Sequence, residues 1–357
     1  YGRFERQISS FALVFGFIVD SLTLRRVDTP WENFWILLHL IAISVFIILI
    51  HIKDSTEGDE TNPSKRHFWY VTILQFFFGG IFSAYLVFYF RSTDIFATWP
   101  FLALLTLAFI ANESFKKHYV RFSFQVSLFF LSIYSFAIFL VPVVLHQIGV
   151  KIFLLSGLLS LILISIFILI LFHFIKDKSP RDRYESKKMI ALFVSGIFIL
   201  VNFLYFTKLI PPIPLSLKDV GTYHSLQRIE NGNYAVTYED HGWQGYFKLY
   251  KDFHQTPGSP VYVYSAIFSP KGLNLNIRHE WQHYDEIKKE WQTKSVINLP
   301  VVGGRDGGFR TYSTRSNLEA GKWRVSIENE LGHTIGHARF NIIKSEIPPV
   351  LKFETKD

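Results

Sequence analysis

Apolar residues follow two different rhythms along this chain. Up to about residue 210 they come in unbroken runs of roughly 20, the length a helix needs to cross ~30 Å of hydrocarbon. Seven such runs predict membrane helices, at 8–24, 34–52, 68–90, 95–111, 119–145, 152–175 and 189–210. The first and fourth are the weakest, and a count of six or eight stays open. From residue 233 the period becomes two, as in VYVYSAIF (261–268), LNLNIRHEW (273–281), WQTKSVINL (291–299), GKWRVSIE (321–328) and HTIGHARFNI (333–342). Short alternating runs separated by turn residues predict seven or eight strands of an all-β, Ig-like antiparallel sandwich. Between the two regions lies KLIPPIPLSLKDVG (208–221), where Pro211, Pro212 and Pro214 stop the last helix. The expected organisation is a multi-pass α-helical membrane bundle (1–210), a proline-containing linker (211–232) and an extracytoplasmic β-sandwich (233–357).

Composition agrees. The 357 residues are 49% hydrophobic and only 18% charged, too apolar for an ordinary soluble protein. The net charge of +8 divides into about +6 before residue 211 and about +2 after it. In a soluble chain that excess would suggest nucleic acid, but here it follows the short loops between spans. With the N-terminus inside, fourteen Lys and Arg fall on the cytoplasmic side and four (Arg25, Arg26, Arg91, Lys151) on the other. This asymmetry orients a bacterial inner-membrane protein, and an odd span count then places the C-terminal domain in the periplasm. The most basic stretch, KDKSPRDRYESKK (176–188), reads as a topology anchor. The expected partners are the bilayer and another membrane protein, envelope protein or envelope polymer, with no nucleic acid. Cysteine is absent, which excludes disulfides, thiolate metal sites and cysteine nucleophiles. The first apolar run lacks a small-residue cleavage site and reads as a span rather than a signal peptide.

Two strings imitate metallopeptidases. His279-Glu280-Trp281-Gln282-His283 spells H-E-x-x-H, and NELGHTIGH (329–337) approaches the longer zinc pattern with Asn329 in the first ligand position. A zincin needs its two histidines one helical turn apart. Here Leu273, Leu275, Ile277, His279, Trp281 and His283 alternate with Asn274, Asn276, Arg278, Glu280 and Gln282, the pattern of a half-buried strand. On a strand the histidines lie about 13 Å apart, so they cannot share one zinc at ~2.1 Å. EWQHYDEIKKEW could coil in isolation, but the flanking alternation predicts a hairpin turning near Asp285–Lys288. NELGHTIGH reads as a turn between two strands. Neither a metal site nor a cofactor is expected.

The runs FSPKGLNLNIRHEW and INLPVVGGRDGGFRTYSTRSNLEAGKWRVSIENELGHTIGHARFNI resemble a bacterial extracytoplasmic domain family of unknown function. The resemblance spans about residues 262–343. Its pattern falls on Gly272, His279, Trp281, Gly303, Gly304, Arg305, Arg310, Gly321, Trp323, Val325, Gly336 and Phe340. It implies an Ig-like sandwich that often follows membrane segments, and it implies no established activity. The seven-span part resembles no characterised family.

Candidate chemistry is sparse, and no catalytic set is predicted. In GGRDGGFR (303–310), Arg305 and Arg310 could fork around a carboxylate or phosphate, or pair internally in a tight loop. Polar residues within spans are costly and therefore candidates. Asp20, His39, Arg91, Asp94 and Asn202 all fall in outer-leaflet halves or turns. Aromatic residues invite a carbohydrate-binding reading. Trp281 and Trp323 lie on apolar faces, whereas Trp243 in DHGWQGY is the surface candidate. The leading expectation is an envelope binding or scaffolding protein; the alternative is a membrane enzyme or carrier for a lipid-linked substrate.

Overall fold

A computed structural model describes residues 17–18, 20–22, 24, 29–57, 65–91, 95–114, 122–174, 180–210, 214–229, 232–243, 248–273, 275–303 and 307–356. Among these residues, those up to Arg91 and those from Thr98 to Ile210 belong to one compact unit and those from Pro214 onward to a second.

Among the described residues the first unit contains α1 (Pro30–Glu57), α2 (Lys65–Arg91), α3 (Ile95–Ser114), α4 (Phe122–Leu145), α5 (Val150–Phe174) and α6 (Pro180–Phe206). Each coincides with a span read from the sequence. Of the run at 8–24, Phe17, Ile18, Asp20, Ser21 and Leu22 are described and helical. Among the described residues, five helices are long and apolar enough to cross a membrane: α1, α2, α4, α5 and α6. In α3 the apolar helix is shorter (Thr98–Ile110), because Thr98 leaves helical geometry (φ −122°, ψ 15°) just before Pro100. The basic stretch is not all loop. Pro180 opens α6, its missing N–H costing nothing at a first helical position. Arg183 then donates from Nη2 to the Phe172 carbonyl near the end of α5 (2.8 Å).

Helix α4 is the core of this bundle. Burial covers 78% of its apolar window but only 22–50% of the other four, whose exposed leucines, isoleucines and phenylalanines suit lipid. With no water to expel between helices in a membrane, close packing and polar contacts hold them together. Tyr85 and Tyr89 of α2 donate to the carbonyls of Ser132 and Ser135 on α4 (2.8 and 2.9 Å). His51 of α1 donates from Nε2 to Gln125 Oε1 of α4 (3.0 Å). On α5, Gly157 leaves room for Tyr134 and Phe198; a Cβ there would lie 3.0 Å from the Tyr134 hydroxyl.

The second unit is β-rich. Its strands are β1 (Ser216–Tyr223), β2 (Ser225–Arg228), β3 (Tyr234–Glu239), β4 (Lys251–Gln255), β5 (Pro260–Phe268), β6 (Leu275–Asp285), β7 (Glu290–Val301), β8 (Phe309–Ser316), β9 (Gly321–Asn329), β10 (Thr334–Lys344) and β11 (Leu351–Lys356). They form three sheets, ordered β1-β5-β8, β4-β10-β9-β6-β7 and β11-β3-β2. The ladders are antiparallel except β4 with β10, which run parallel from Phe340↔Lys251 to Lys344↔Gln255. Strands β1 and β2 occupy residues expected to be linker. Their alternation is short and broken by Lys218, Asp219 and Gly221, so only their pairing reveals them.

Strand β5 explains the layering. Val261 and Val263 enter a core with Trp281, Trp323, Val325 and Phe340 of the five-stranded sheet. Tyr264 and Ala266 enter a second core with Leu226, Tyr234 and Val236 of the β11-β3-β2 sheet. The β1-β5-β8 sheet therefore buries both faces, and β5 reads as a near-continuous apolar run for that reason.

Candidate functional site

The H-E-x-x-H string lies on β6, which turns into β7 at residues 286–289, and its two histidines serve different structural ends. His279 is fully buried. Trp281 Nε1 donates to Ser313 Oγ (3.0 Å), which leaves that hydroxyl's own proton for His279 Nδ1 (2.8 Å). The opposite nitrogen, Nε2, then donates to Ser265 Oγ (2.9 Å). This relay keeps the imidazole neutral, and burial pushes its pKa down to about 4. His283 instead donates from Nε2 to the Ala320 carbonyl (3.1 Å) and lies 3.4 Å from Glu319. Glu280 accepts from Thr293 on β7. In the second string, Asn329 Oδ1 accepts the backbone N–H groups of Leu331 and His333 (3.1 and 2.9 Å), the mark of a turn. Among the described residues, no three His, Cys, Asp or Glu side chains converge as a metal would require.

Arg310 lies on β8 and is buried. Its Nη1 donates to the Gly232 carbonyl and to Asn233 Oδ1 (both 2.8 Å), clamping the turn before β3. Arg305 and Asp94 lie outside the described residues, as does the side chain of Arg91.

Two of the intramembrane candidates come together. Ser83 of α2 donates to the Asp20 carboxylate, and Asp20 is within electrostatic reach of His39. His39 donates from Nδ1 to the Trp35 carbonyl (2.9 Å), and its Nε2 is so close to Gly80 that a Cβ there would approach to 3.0 Å. Asn202 has other partners, donating to the Tyr134 hydroxyl (3.1 Å) and the Phe198 carbonyl (2.8 Å).

A site that no local motif announced opens in the β domain. A cleft of about 820 Å³ is walled by β1, the end of β3 with the turn after it, β4, β10 and β11. Its rim is built by turn chemistry. Asp240 Oδ1 accepts the Gly242 N–H (2.9 Å), Gly242 takes a left-handed φ of +56°, and Trp243 emerges with 72% of its surface exposed. Its floor is knit by Glu239. That carboxylate accepts His224 Nε2 (2.8 Å) and the His254 N–H (2.7 Å) on one oxygen, and His254 Nδ1 (2.7 Å) on the other. Burial alone would raise its pKa, but those hydrogen bonds hold it down at about 2. His224 stacks on Phe253 with ring centroids 3.9 Å apart, so the pair also fixes β4.

Several other charges on or beside the cleft wall pair off, while Lys251 and Arg339 add further basic side chains to it. Lys356 bridges Asp219 (3.2 Å) and Glu354 (3.0 Å), and these contacts raise its pKa despite the opposing effect of burial. Lys352 meets Asp240 (2.5 Å), and Lys248 meets Asp252 (3.1 Å), which also accepts from Asn341. Chemically the cleft combines a solvent-exposed indole and the Tyr238 ring with carboxylates already bonded to lysines or histidines and with the basic side chains of Lys251 and Arg339. Of these residues the sequence pointed to Trp243 alone. The others come from five strands spread over more than a hundred positions, and no spacing rule links them.

Similarity to solved structures is slight. A beta-glucosidase from Listeria innocua in complex with gluconolactone aligns at 10% identity and TM-score 0.19, over 35% of this chain and 16% of that one. The Pseudomonas fluorescens alkylpurine DNA glycosylase AlkC bound to DNA containing an abasic site analog aligns at 8% identity and TM-score 0.22, over 89% of this chain and 99% of that one. Neither likeness carries an argument about fold or activity. No curated protein matches the sequence. Residues 274–342, which cover strands β6 to β9 and most of β10, match the family model described as a protein of unknown function, DUF2914.

Proposed function

We propose that this is a seven-span bacterial inner-membrane protein that presents an Ig-like β domain on the periplasmic face, where the domain binds an envelope component. The cleft carries this reading. Its volume falls in the range of ligand sites, its rim exposes an aromatic ring, and its walls are held by ion pairs that favour a pre-formed shape. The helical part supports it by supplying an anchor, since five of its helices can span a bilayer. Arg305 and Arg310 remain a proposed anion-binding pair at the β8 loop, although Arg310 already holds two acceptors. To test the reading, a photoreactive residue replaces Leu249, an exposed cleft residue, in living cells. Discrete adducts should form there and not from the same residue at Ile287, on the exposed β6–β7 turn. Identical adduct patterns at both positions, or none at either, would sink it.

A second reading has its own observation, the Asp20–Ser83–His39 group. Charged residues persist inside spans where they do work, so this group supports a membrane enzyme or carrier for a lipid-linked substrate. Loss of cellular function in Asp20→Asn, with adduct formation from position 249 intact, would favour this alternative.

A further inference from the structure

We infer that the β unit docks on the surface of the lipid bilayer through residues 347–353, with Ile347, Val350 and Phe353 entering the headgroup–acyl boundary. This goes beyond the cleft and rests on the helical unit lying in a membrane.

Exposure singles out the segment. Between β10 and β11 the chain reads Ser345-Glu346-Ile347-Pro348-Pro349-Val350, then enters the strand with Leu351 and Phe353. Ile347, Val350 and Phe353 expose 78%, 91% and 68% of their surface, and Ile343 and Leu351 are exposed as well. Large apolar side chains grouped in this way mark an interaction surface. At 91% exposure Val350 stands out from the fold rather than lining a groove, so it suits entry into a soft partner.

The sheet face that continues the turn is uncharged. Phe353 lies opposite Thr237, and Thr237 opposite Ser225; Thr355 lies opposite Ala235, and Ala235 opposite Gln227. Opposed residues of an antiparallel ladder share a face. Leu351 lies opposite Glu239, whose carboxylate is bound to His224 and His254. Around the turn, Lys344 and Glu346 offset each other in formal charge, and Lys352 pairs with Asp240. Docking is therefore apolar in origin and needs no anionic lipid.

The turn also meets its own hydrogen-bonding needs. Ser345 Oγ donates to the Ile347 carbonyl (2.7 Å) and accepts the Ile347 N–H (3.2 Å). Pro348 and Pro349 have no N–H to leave unpaired. Unmet backbone groups keep irregular segments out of the low-dielectric edge of a bilayer, and this segment carries few of them. Water would satisfy the same groups without such help.

The tether selects the occupant. Helix α6, which is able to cross a bilayer, ends at Phe206, and β1 opens at Ser216. Residues 207–215 reach about 30 Å at full extension. A membrane that holds α6 therefore keeps its own surface within reach of the β unit at all times. A groove on another protein could accept the same side chains, but the bilayer is the neighbour this chain cannot leave.

The absence of cysteine makes the test direct. Val350→Cys in the full chain carries an environment-sensitive fluorophore, and Ile287→Cys, on the exposed β6–β7 turn, is the comparison. Each protein is placed singly in nanodiscs of phosphatidylcholine. Emission at position 350 should be blue-shifted and quenched by lipids bearing a nitroxide near the headgroup, with neither effect at position 287. Adding Ile347→Asp should lower the docked-to-undocked ratio about tenfold, moving emission at 350 towards that at 287. Phe353→Ser, on the strand rather than the turn, should act in the same direction, and an unaltered melting temperature in either variant separates docking from folding. Water-like emission at 350, or equal quenching at both positions, overturns the docking. A blue shift without lipid quenching shows that protein covers the turn and overturns the lipid assignment. Docking that appears only with anionic lipid and vanishes in high salt overturns its apolar basis. None of these outcomes depends on the cleft having a ligand.

Discussion

At the scale of single residues, the chain spends its most conspicuous chemical groups on structure. His279 and Trp281 sit in the core between two sheets, linked through Ser313 and Ser265. Each relay member is satisfied only by its neighbours, so Ser313→Ala strands the indole N–H and one imidazole nitrogen together. Leaving buried polar groups unmet costs about 1–3 kcal/mol each, and denaturant unfolding should show a loss of about 2–4 kcal/mol. The buried imidazole also makes stability depend on pH. Its pKa falls from 6.5 in the unfolded chain to about 4 in the native fold, so the unfolded chain binds more protons between those values. Stability from this source is full above about pH 6.5 and drains away as pH falls to about 4. The total is about 3 kcal/mol for a shift of this size. Replacing His279 with Gln should flatten that segment of the profile, as read by melting temperature against pH. Glu239 acts in a lower window: its depressed pKa contributes stability above about 4.5 that is lost as pH falls toward about 2. With His279 and His283 committed to separate partners, metal analysis of the purified protein should find no stoichiometric zinc, and chelation should leave its melting temperature unchanged. One zinc per chain, absent from His279→Ala, would contradict the strand geometry.

Between elements, glycines set how closely strands and turns approach. A Cβ on Gly303 would lie 1.9 Å from the Pro270 carbonyl oxygen and 2.8 Å from that of Leu273, both backbone atoms that cannot move alone. A Cβ on Gly336 would meet only the end of the Leu217 side chain, at 2.3 Å. Gly303→Ala should therefore destabilise the domain by about 2–3 kcal/mol or prevent its folding, within the usual range for overpacking. Gly336→Ala should cost about 1 kcal/mol, because a leucine can change rotamer. Equal unfolding midpoints for the two variants would contradict this ranking. Both glycines belong to the family-like pattern, as do Trp323 and Phe340 of the core, so that pattern records how β6 to β10 pack.

For the whole molecule, orientation is the open consequence. Fourteen basic residues on one side of the proposed spans against four on the other predict that Asp357 lies outside the cytoplasm. A reporter active only in the cytoplasm, fused after Asp357, should stay silent, while a periplasmic reporter at the same point should be active. The reverse result would place the cleft on the cytoplasmic side and remove envelope polymers as its ligands. Five membrane-length helices leave parity to α3 and to the run at 8–24, so the same fusion also tests the count of seven.

The chain's own pattern determined the elements. Long apolar runs marked the helices because a bilayer demands a minimum length, and period-two alternation marked β6, β7, β9 and β10 because a sheet has two faces. It also settled that H-E-x-x-H lies on a strand, since residue spacing along a strand is a local property. Tertiary structure alone decided the rest. Strands β1 and β2 are too short and interrupted to declare themselves, and they became strands by pairing with β5 and β3. The parallel pairing of β4 with β10 joins residues about ninety positions apart, and nothing in either run specifies it. Arg310 reads from the sequence as half of an anion fork, and only the fold shows that its guanidinium also holds the 232–233 turn. The cleft is the extreme case. Asp219, Glu239, Asp252, Arg339 and Lys356 carry no shared period, because a site assembled by long-range strand pairing leaves no rhythm along the chain.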